Sequence, residues 1–201
     1  MKKVIKRGFD IKKEYASSWK YIKECRTFIY FMTGIFFIFL LIGLFVPAPE
    51  FLYDKILSYI RELLVRTEGM SALQLIWFII SNNITSTFFG IIFGIILGIF
   101  PVVSSIVNGY MLGFVSNYSV SLSNGNFLIL WKILPHGIFE LPAVFISLGL
   151  GAKFGTFIFQ KNKADSFKSY LWDSLKAFLL IVIPLLIIAG IIEGTIMALV
   201  K

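Results

Sequence analysis

The chain has 201 residues, of which 58% are hydrophobic and only 15% charged, and its mean hydropathy is +0.86. A soluble domain carries roughly 25% charged residues, so the composition excludes a soluble protein and predicts an integral membrane protein. The net charge of +8 does not indicate a nucleic-acid partner, because the positive residues gather beside the first apolar segment, where they mark the cytoplasmic end of a span.

Residues 1–26 form a basic arm in which nine lysines and arginines oppose three acids. Apolar residues recur in this arm at the spacing of one helix face, which predicts an amphipathic helix on the cytoplasmic membrane surface, with its lysines among anionic headgroups. A partner protein could use the same surface. These apolar residues are Phe9, Ile11, Tyr15, Trp19 and Ile22.

The first predicted span covers 27–46, about the 20 residues that the hydrocarbon core requires. Residues 50–67 repeat apolar positions at helical spacing with nearly balanced charges, which predicts a helix on the extracytoplasmic surface. The next apolar stretch is too long for one straight span. We expect Asn82-Asn83 to divide it into an interfacial helix over 72–80 and a second span over 84–103.

Three further spans are predicted over 104–119, 127–150 and 177–200, with glycines marking the end of the fourth. Lysines outnumber acids between the fourth and fifth spans, so this loop belongs in the cytoplasm with the basic arm. The prediction is therefore an all-α bundle of about five spans with amphipathic interfacial helices. It forms a single transmembrane domain over 27–201, with the N-terminus cytoplasmic and the C-terminus extracytoplasmic.

One titratable pair lies inside the fourth predicted span. His136, the only histidine, and Glu140 are four residues apart and share a helix face. Ionisable residues are costly in hydrocarbon and usually face a protein interior or a cavity. Pro135 and Pro142 each remove a backbone donor, and Gly137 adds freedom, which predicts a broken helix like those lining transporter sites.

Other polar residues interrupt the apolar segments and are candidates for the same intramembrane cluster. Glu193 is the other acid in an apolar run, and the asparagines are Asn82, Asn83 and Asn108. Glycines spaced by four predict helix faces where neighbouring backbones approach closely, within one chain or between copies in a homo-oligomer. They are Gly90, Gly94 and Gly98, and then Gly109 and Gly113.

Three interpretations of the cluster are open. It is a hydrogen-bonded network that fixes helix packing, a binding or permeation site for an ion or small solute, or the centre of a metal-dependent intramembrane hydrolase. One histidine and two carboxylates are a thin ligand set for a metal, and no serine or glycine-rich phosphate motif supports catalysis. The residues therefore favour a non-enzymatic protein without a cofactor, and we assign neither metal ligands nor catalytic residues.

The ordered combination of these motifs resembles the stage II sporulation protein M family. It runs from Asn82-Asn83 through the glycine stripe and Asn108-Gly109-x-x-x-Gly113 to Leu134-Pro135-His136-Gly137 with Glu140, and Pro142-Ala143 follows. The resemblance singles out Asn83, Asn108, Gly109, His136, Gly137 and Glu140 without giving them a role.

The namesake of this family is a polytopic membrane protein that recruits two cell-wall hydrolases during engulfment, and many members belong to organisms that make no spores. The resemblance therefore implies a cell-membrane scaffold that organises membrane or extracytoplasmic proteins. A transporter or channel is the first alternative, and the intramembrane hydrolase is the second.

Overall fold

The computed structural model describes the backbone of residues 10–126 and 134–200 and the side chains of residues 10–126 and 140–197. This part of the chain contains helices and turns but no β-strand, which confirms the all-α class. Five of its helical segments are long and apolar enough to cross a membrane. The protein is therefore a multi-pass membrane protein.

Within residues 10–126 and 134–200, eight α-helices follow one another, joined in places by tighter or wider helical turns. They are α1 (Ile11–Glu24), α2 (Arg26–Phe45), α3 (Glu50–Thr67), α4 (Ala72–Ile92), α5 (Ile99–Leu122), α6 (Leu134–Gly155), α7 (Lys163–Ala177) and α8 (Ile183–Val200). A 3-10 turn over Phe93–Ile95 extends α4, another over Thr156–Phe159 extends α6, and a π-turn over Phe178–Val182 joins α7 to α8.

The order of the helix contacts gives the direction of each span. The residue pairs in contact show that α2 is parallel to α5 and that α4 is parallel to α6. They also show that α6 is antiparallel to α2 and that α8 is antiparallel to α4. The five spans therefore alternate in direction along the chain. The pairs are Met32 with Ser105, Phe36 with Gly109, Ile29 with Gly149, Gly90 with Leu148, Gly94 with Gly151, Ile80 with Gly190 and Ile76 with Gly194, and Phe36 with Phe145.

Alternation places α1 and α7 at one end of the bundle and α3 at the other. Helix α1 ends before Cys25 and packs on α7, where the Lys176 ammonium donates to the Glu14 carboxylate at 3.2 Å. The Tyr21 hydroxyl lies 3.4 Å from Ser174 Oγ. Ile11, Tyr15 and Trp19 of the predicted apolar face are exposed, whereas Ile22 of the same face packs into the core; Phe9 lies outside the described residues.

Glycines bring two helix pairs into backbone contact. A Cβ at Gly109 would meet the backbone of Phe36, and one at Gly113 would meet the carbonyl of Leu40, so α5 packs directly on α2. Gly94 meets the backbone of Gly151 in the same way, which joins the end of α4 to α6. Both glycine stripes therefore serve packing within one chain.

The break in the long apolar stretch lies elsewhere than predicted. Helix α4 runs through Asn82-Asn83 without interruption, because an asparagine side chain removes no backbone hydrogen bond. The chain turns instead at Leu97 and Gly98, which both have positive φ. The predicted spans over 84–103 and 104–119 are thus replaced by candidate spans over Ala72–Ile95 and Ile99–Leu122, and the separate interfacial helix over 72–80 is wrong.

Helix α6 also differs from its prediction. It passes through Pro142, which therefore does not break it, and it continues to Gly155 and the 3-10 turn beyond. A proline costs one backbone donor, and helix packing on both sides can retain the rest. The glycines expected to end the span instead pack on neighbouring helices, Gly149 on Ile29 and Gly155 on Gly98. Residues 127–133 of the predicted span lie outside the described part.

Candidate functional site

The inward face of α4 carries two buried polar residues. Asn83 lies in line with Gly90 and Gly94, the glycines that face α6, and its side chain is only 8% exposed. Thr87, one turn further on, is 3% exposed and donates to the carbonyl of Asn83 at 2.6 Å. The threonine hydroxyl is thus satisfied within α4. The Nδ2 group of Asn83 donates no hydrogen bond within the described residues.

Helix α6 brings Glu140 to the face that contacts α4. Glu140 is half-buried and lies two turns before Ser147, which is fully buried and donates to the carbonyl of Ala143 at 2.9 Å. Helices α4 and α6 are parallel, and Gly90 of α4 contacts Leu148 of α6. Asn83 and Leu141 each lie two turns before these residues, so Asn83 is level with Leu141 and therefore beside Glu140. The register therefore brings an amide and a carboxyl group to facing positions.

Helix α8 supplies the second acid. Glu193 is half-buried and shares a face with Leu186, which is fully buried, and with Gly190, which packs on Ile80 of α4. Glu193 thus lies on the inward side of α8, one turn further toward the α3 end of the bundle than Gly190. The three helices α4, α6 and α8 thus each direct an amide or carboxyl side chain inward, and α4 and α6 add the buried hydroxyls of Thr87 and Ser147.

Of the other two asparagines, Asn82 touches this group through Asn83, and Asn108 stands apart from it. Asn82 is exposed on the outer side of α4 and its Nδ2 lies 3.4 Å from Asn83 Oδ1. Asn108 is exposed on α5, where its amide donates to the carbonyl of Ser104 at 2.8 Å and lines a hollow beside Tyr59 of α3. Pro135, His136 and Gly137 lie outside the residues whose side chains are described, although α6 begins at Leu134.

Two interhelical hydrogen bonds were not anticipated from the sequence. Ser105, fully buried on α5, donates to the carbonyl of Met32 at 2.7 Å, and Asn117 donates to the carbonyl of Leu44 at 2.9 Å. Both bonds tie α5 to α2 on either side of the glycine contact. Their spacing to Gly109 and Gly113 by multiples of four could have identified them.

In the part of the chain that the structure describes, the polar groups on the inward faces of α4, α6 and α8 are amide, hydroxyl and carboxyl groups. No three histidine, cysteine, aspartate or glutamate side chains there lie close enough to share a metal ion. What remains are hydroxyl and amide groups that bond across or along helices, and two carboxyl groups. Such a set can hold helices in register or exchange a proton.

A second buried cluster lies where α1 meets α7, around Tyr21 and Cys25, which both precede the first candidate span. Burial raises the pKa of the Cys25 thiol to about 12, and it also raises the pKa of the Tyr21 phenol above its ordinary value. The ammonium of Lys153 lies 4.7 Å from the centre of the Tyr170 ring. Cys25 is thus a protonated, inert packing residue at neutral pH.

Comparison with known proteins gives one finding. The family model described as stage II sporulation protein M matches residues 27–197, which include all five candidate spans almost completely. No curated protein and no solved structure matches this chain.

Proposed function

Because this chain belongs to the stage II sporulation protein M family, we propose that it is a non-enzymatic membrane scaffold that holds partner proteins together. In this proposal the inward polar residues of α4, α6 and α8 lock the bundle and carry out no chemistry. The lock comprises Asn83, Glu140 and Glu193, together with His136 as the sequence suggests. The partners are membrane or extracytoplasmic proteins.

The observation that supports a scaffold most strongly is the closeness of helix packing around these residues. Glycine-to-backbone contacts join α4 to α6 and α5 to α2, and Thr87, Ser105 and Ser147 are all at most 3% exposed. The hollow beside Asn108 lies on an outer helix face, between α5 and α3. A rigid body with exposed helices at both ends suits a protein that positions others.

We place the α1–α7 end in the cytoplasm and α3 outside. Lysines at the first end outnumber acids on α1 and between α6 and α8, whereas α3 is nearly neutral, and positive residues near spans mark the cytoplasmic side. The exposed stripe of Ile11, Tyr15 and Trp19 then meets the inner membrane surface. Helix α3 is the surface that an extracytoplasmic partner would reach.

The scaffold is tested by sequential affinity purification from native membranes. Two partner proteins should be recovered with each other only when this chain is present. Asn83→Leu, which puts a larger side chain at a buried position in line with the close contacts of Gly90 and Gly94, should release them and lower the thermal stability of the purified protein. The matched variant Asn108→Leu alters an exposed asparagine and should do neither, so equal effects of the two variants would contradict the proposed lock.

Vesicles containing the purified protein separate a scaffold from a transporter. We expect no proton, ion or solute flux under an imposed gradient, and the same absence for Glu140→Gln. A flux in the unaltered protein that Glu140→Gln abolishes, while Glu50→Gln on the exposed start of α3 leaves it intact, would overturn the scaffold and favour the alternative of transport. His136→Ala should disperse the assembly without creating any flux.

A further inference from the structure

The α4–α5 turn, residues 93–100, is both apolar and exposed. Only Ile96, Leu97 and Gly98 separate the candidate spans on either side, and every residue over 88–103 is apolar, glycine or proline. Ile96 is nevertheless 57% exposed and Leu97 53%. The other exposed side chains of the turn are Phe93, Ile95, Ile99 and Phe100. Such a surface is unfavourable in water.

Other connections between spans in the described part of the chain are polar. The α6–α7 connection, at the same end of the bundle, consists of Gln160, Lys161 and Asn162, and the turn after α5 at the opposite end contains Ser123 and Asn124. Connections between spans ordinarily enter water, and those on the cytoplasmic side are rich in lysine and arginine. The α4–α5 turn has neither polar nor charged side chains.

The α4–α5 turn is level with the start of the first span. Gly149 of α6 packs on Ile29 of α2. Since α6 is antiparallel to α2, Ala152 lies level with Arg26, which begins the first candidate span. Ala152 in turn packs on Gly98, the residue of left-handed conformation at the tip of the turn. The tip thus reaches the edge of the hydrocarbon and extends no further.

Backbone donors of the α4–α5 turn are paired within it. The amides of four successive residues each donate to a carbonyl two to four residues earlier, at 2.8–3.2 Å; they belong to Ile96, Leu97, Gly98 and Ile99. In the first turn of α5, where amides usually have no partner within the helix, Pro101 has no amide proton. Hydrocarbon supplies no hydrogen-bond partners, so backbone groups there must be paired internally. The turn is therefore built for an environment without water.

The exposed side of the α4–α5 turn offers little to another helix. Gly94 and Gly98, the residues of the turn without a side chain, already lie against α6. The exposed side presents a row of rings instead, in which the ring centre of Phe93 lies 5.4 Å from that of Phe89 and 5.2 Å from that of Phe100. Helices associate in membranes through small residues and polar side chains. The exposed side chains of this turn are neither.

We propose that lipid acyl chains of the adjoining leaflet cover the α4–α5 turn, so that α4 and α5 are joined at the edge of the hydrocarbon and not by a loop in water. Acyl chains match its large apolar side chains and need no hydrogen-bond donor or acceptor. A soluble protein would have to enter the membrane edge to reach a tip that is level with Arg26. Soluble partners at this end therefore meet α1, α7 and the α6–α7 connection, and leave the α4–α5 turn to lipid.

Cysteine accessibility tests the position of the turn in vesicles of the purified protein. The background is Cys25→Ala, with helicity checked by circular dichroism, and a membrane-impermeant maleimide is present on both sides of the membrane. Ile96→Cys and Leu97→Cys should react at least about 100-fold more slowly than Asn162→Cys, because a thiol in hydrocarbon does not ionise. Asn162 is the matched control, since it is exposed in the α6–α7 connection at the same end. Equal rates would place the turn in water and overturn the proposal.

Quenching by brominated lipids identifies what covers the turn. A fluorophore attached in detergent to the cysteine of Ile96→Cys should lose emission in vesicles of lipids brominated on their acyl chains, whereas the same fluorophore on Asn162→Cys should keep it. Protection from the maleimide without quenching would show that another copy of the chain covers the turn. Protection in native membranes but not in purified vesicles would show a partner protein, and either result would overturn the proposal.

Discussion

Gly109→Ala tests the backbone contact between α2 and α5, the helix pair with the most extensive contact among the described residues. The added methyl group would meet the carbonyl of Phe36 and the atoms around it, and backbone atoms on both sides leave no flexible side chain to move aside. The two helices must separate locally. Separation also stretches the hydrogen bond from Ser105 to Met32, which is 2.7 Å long.

The expected loss in the free energy of unfolding can be estimated by comparison with a glycine that has no neighbour near its Cβ position. Overpacking a closely packed interior costs about 1–3 kcal/mol, and replacing glycine by alanine within a helix returns up to about 1 kcal/mol. Gly34 of α2 has nothing within 4 Å of a Cβ, so Gly34→Ala receives only the gain. The two variants should therefore differ by about 1–3 kcal/mol in the free energy of unfolding.

Thermal unfolding in mild detergent, followed by circular dichroism, measures this difference. For a chain of this size, each kcal/mol corresponds to roughly 2–4 °C, so the midpoint of Gly109→Ala should lie about 2–12 °C below that of Gly34→Ala. Equal midpoints for the two variants would refute the direct backbone contact, because the methyl group would then have found space.

Three further predictions concern single side chains. Ser105→Ala should cost about 0.6–1.7 kcal/mol of stability, measured in the same detergent, because it removes a buried bond to the carbonyl of Met32. Cys25, whose pKa is raised from 9.0 to about 12, should be alkylated at pH 8 about 1,000-fold more slowly than a cysteine placed at exposed Ser17; comparable rates would contradict its burial. In a Cys25→Ala background, a membrane-impermeant maleimide added outside intact cells should label Ser58→Cys of α3 and not Ser17→Cys of α1, and the reverse result would invert the proposed orientation.

Features that depend on composition and length are predictable from the sequence. Apolar segments of sufficient length give the membrane class and the five spans, and the boundary of α2 at Phe45 follows from Pro47 and Pro49. The amphipathic repeat likewise gives α3 its observed bounds, Glu50–Thr67. In each of these cases a local signal, either a proline or a change in polarity, coincides with the structural boundary.

The position at which residues 72–122 divide into two helices cannot be predicted from such local signals. Both possible positions, Asn82-Asn83 and Gly98, have sequences that fit a helix as well as a break. Asn82-Asn83 is polar but helix-compatible, whereas Gly98 belongs to a regular glycine stripe and yet adopts a left-handed conformation that starts a turn. Tertiary packing decides between them, since Gly98 must also lie against Ala152 of α6. The regular spacing of the stripe favours one smooth helix, whereas its last member in fact begins the connection to α5.

The sequence does not show directly which of several neighbouring polar residues is buried in the bundle. The spacing of each residue from the glycines that contact another helix predicts it. Ser105, Gly109, Gly113 and Asn117 are each four apart, and all of them bond to or pack on α2; Asn108 lies about 100° around the helix from Gly109 and is exposed.

The same rule applies to α4. Asn83 aligns with Gly90 and Gly94 and is buried, whereas Asn82 lies about 100° away and faces outward. A membrane-spanning helix is largely apolar on every side, so its polarity does not show which face points into the bundle. The line of glycines supplies that choice, because only the face that touches another backbone needs residues without a side chain. By this rule the two adjacent asparagines lie on different sides of α4, Asn83 buried and Asn82 exposed.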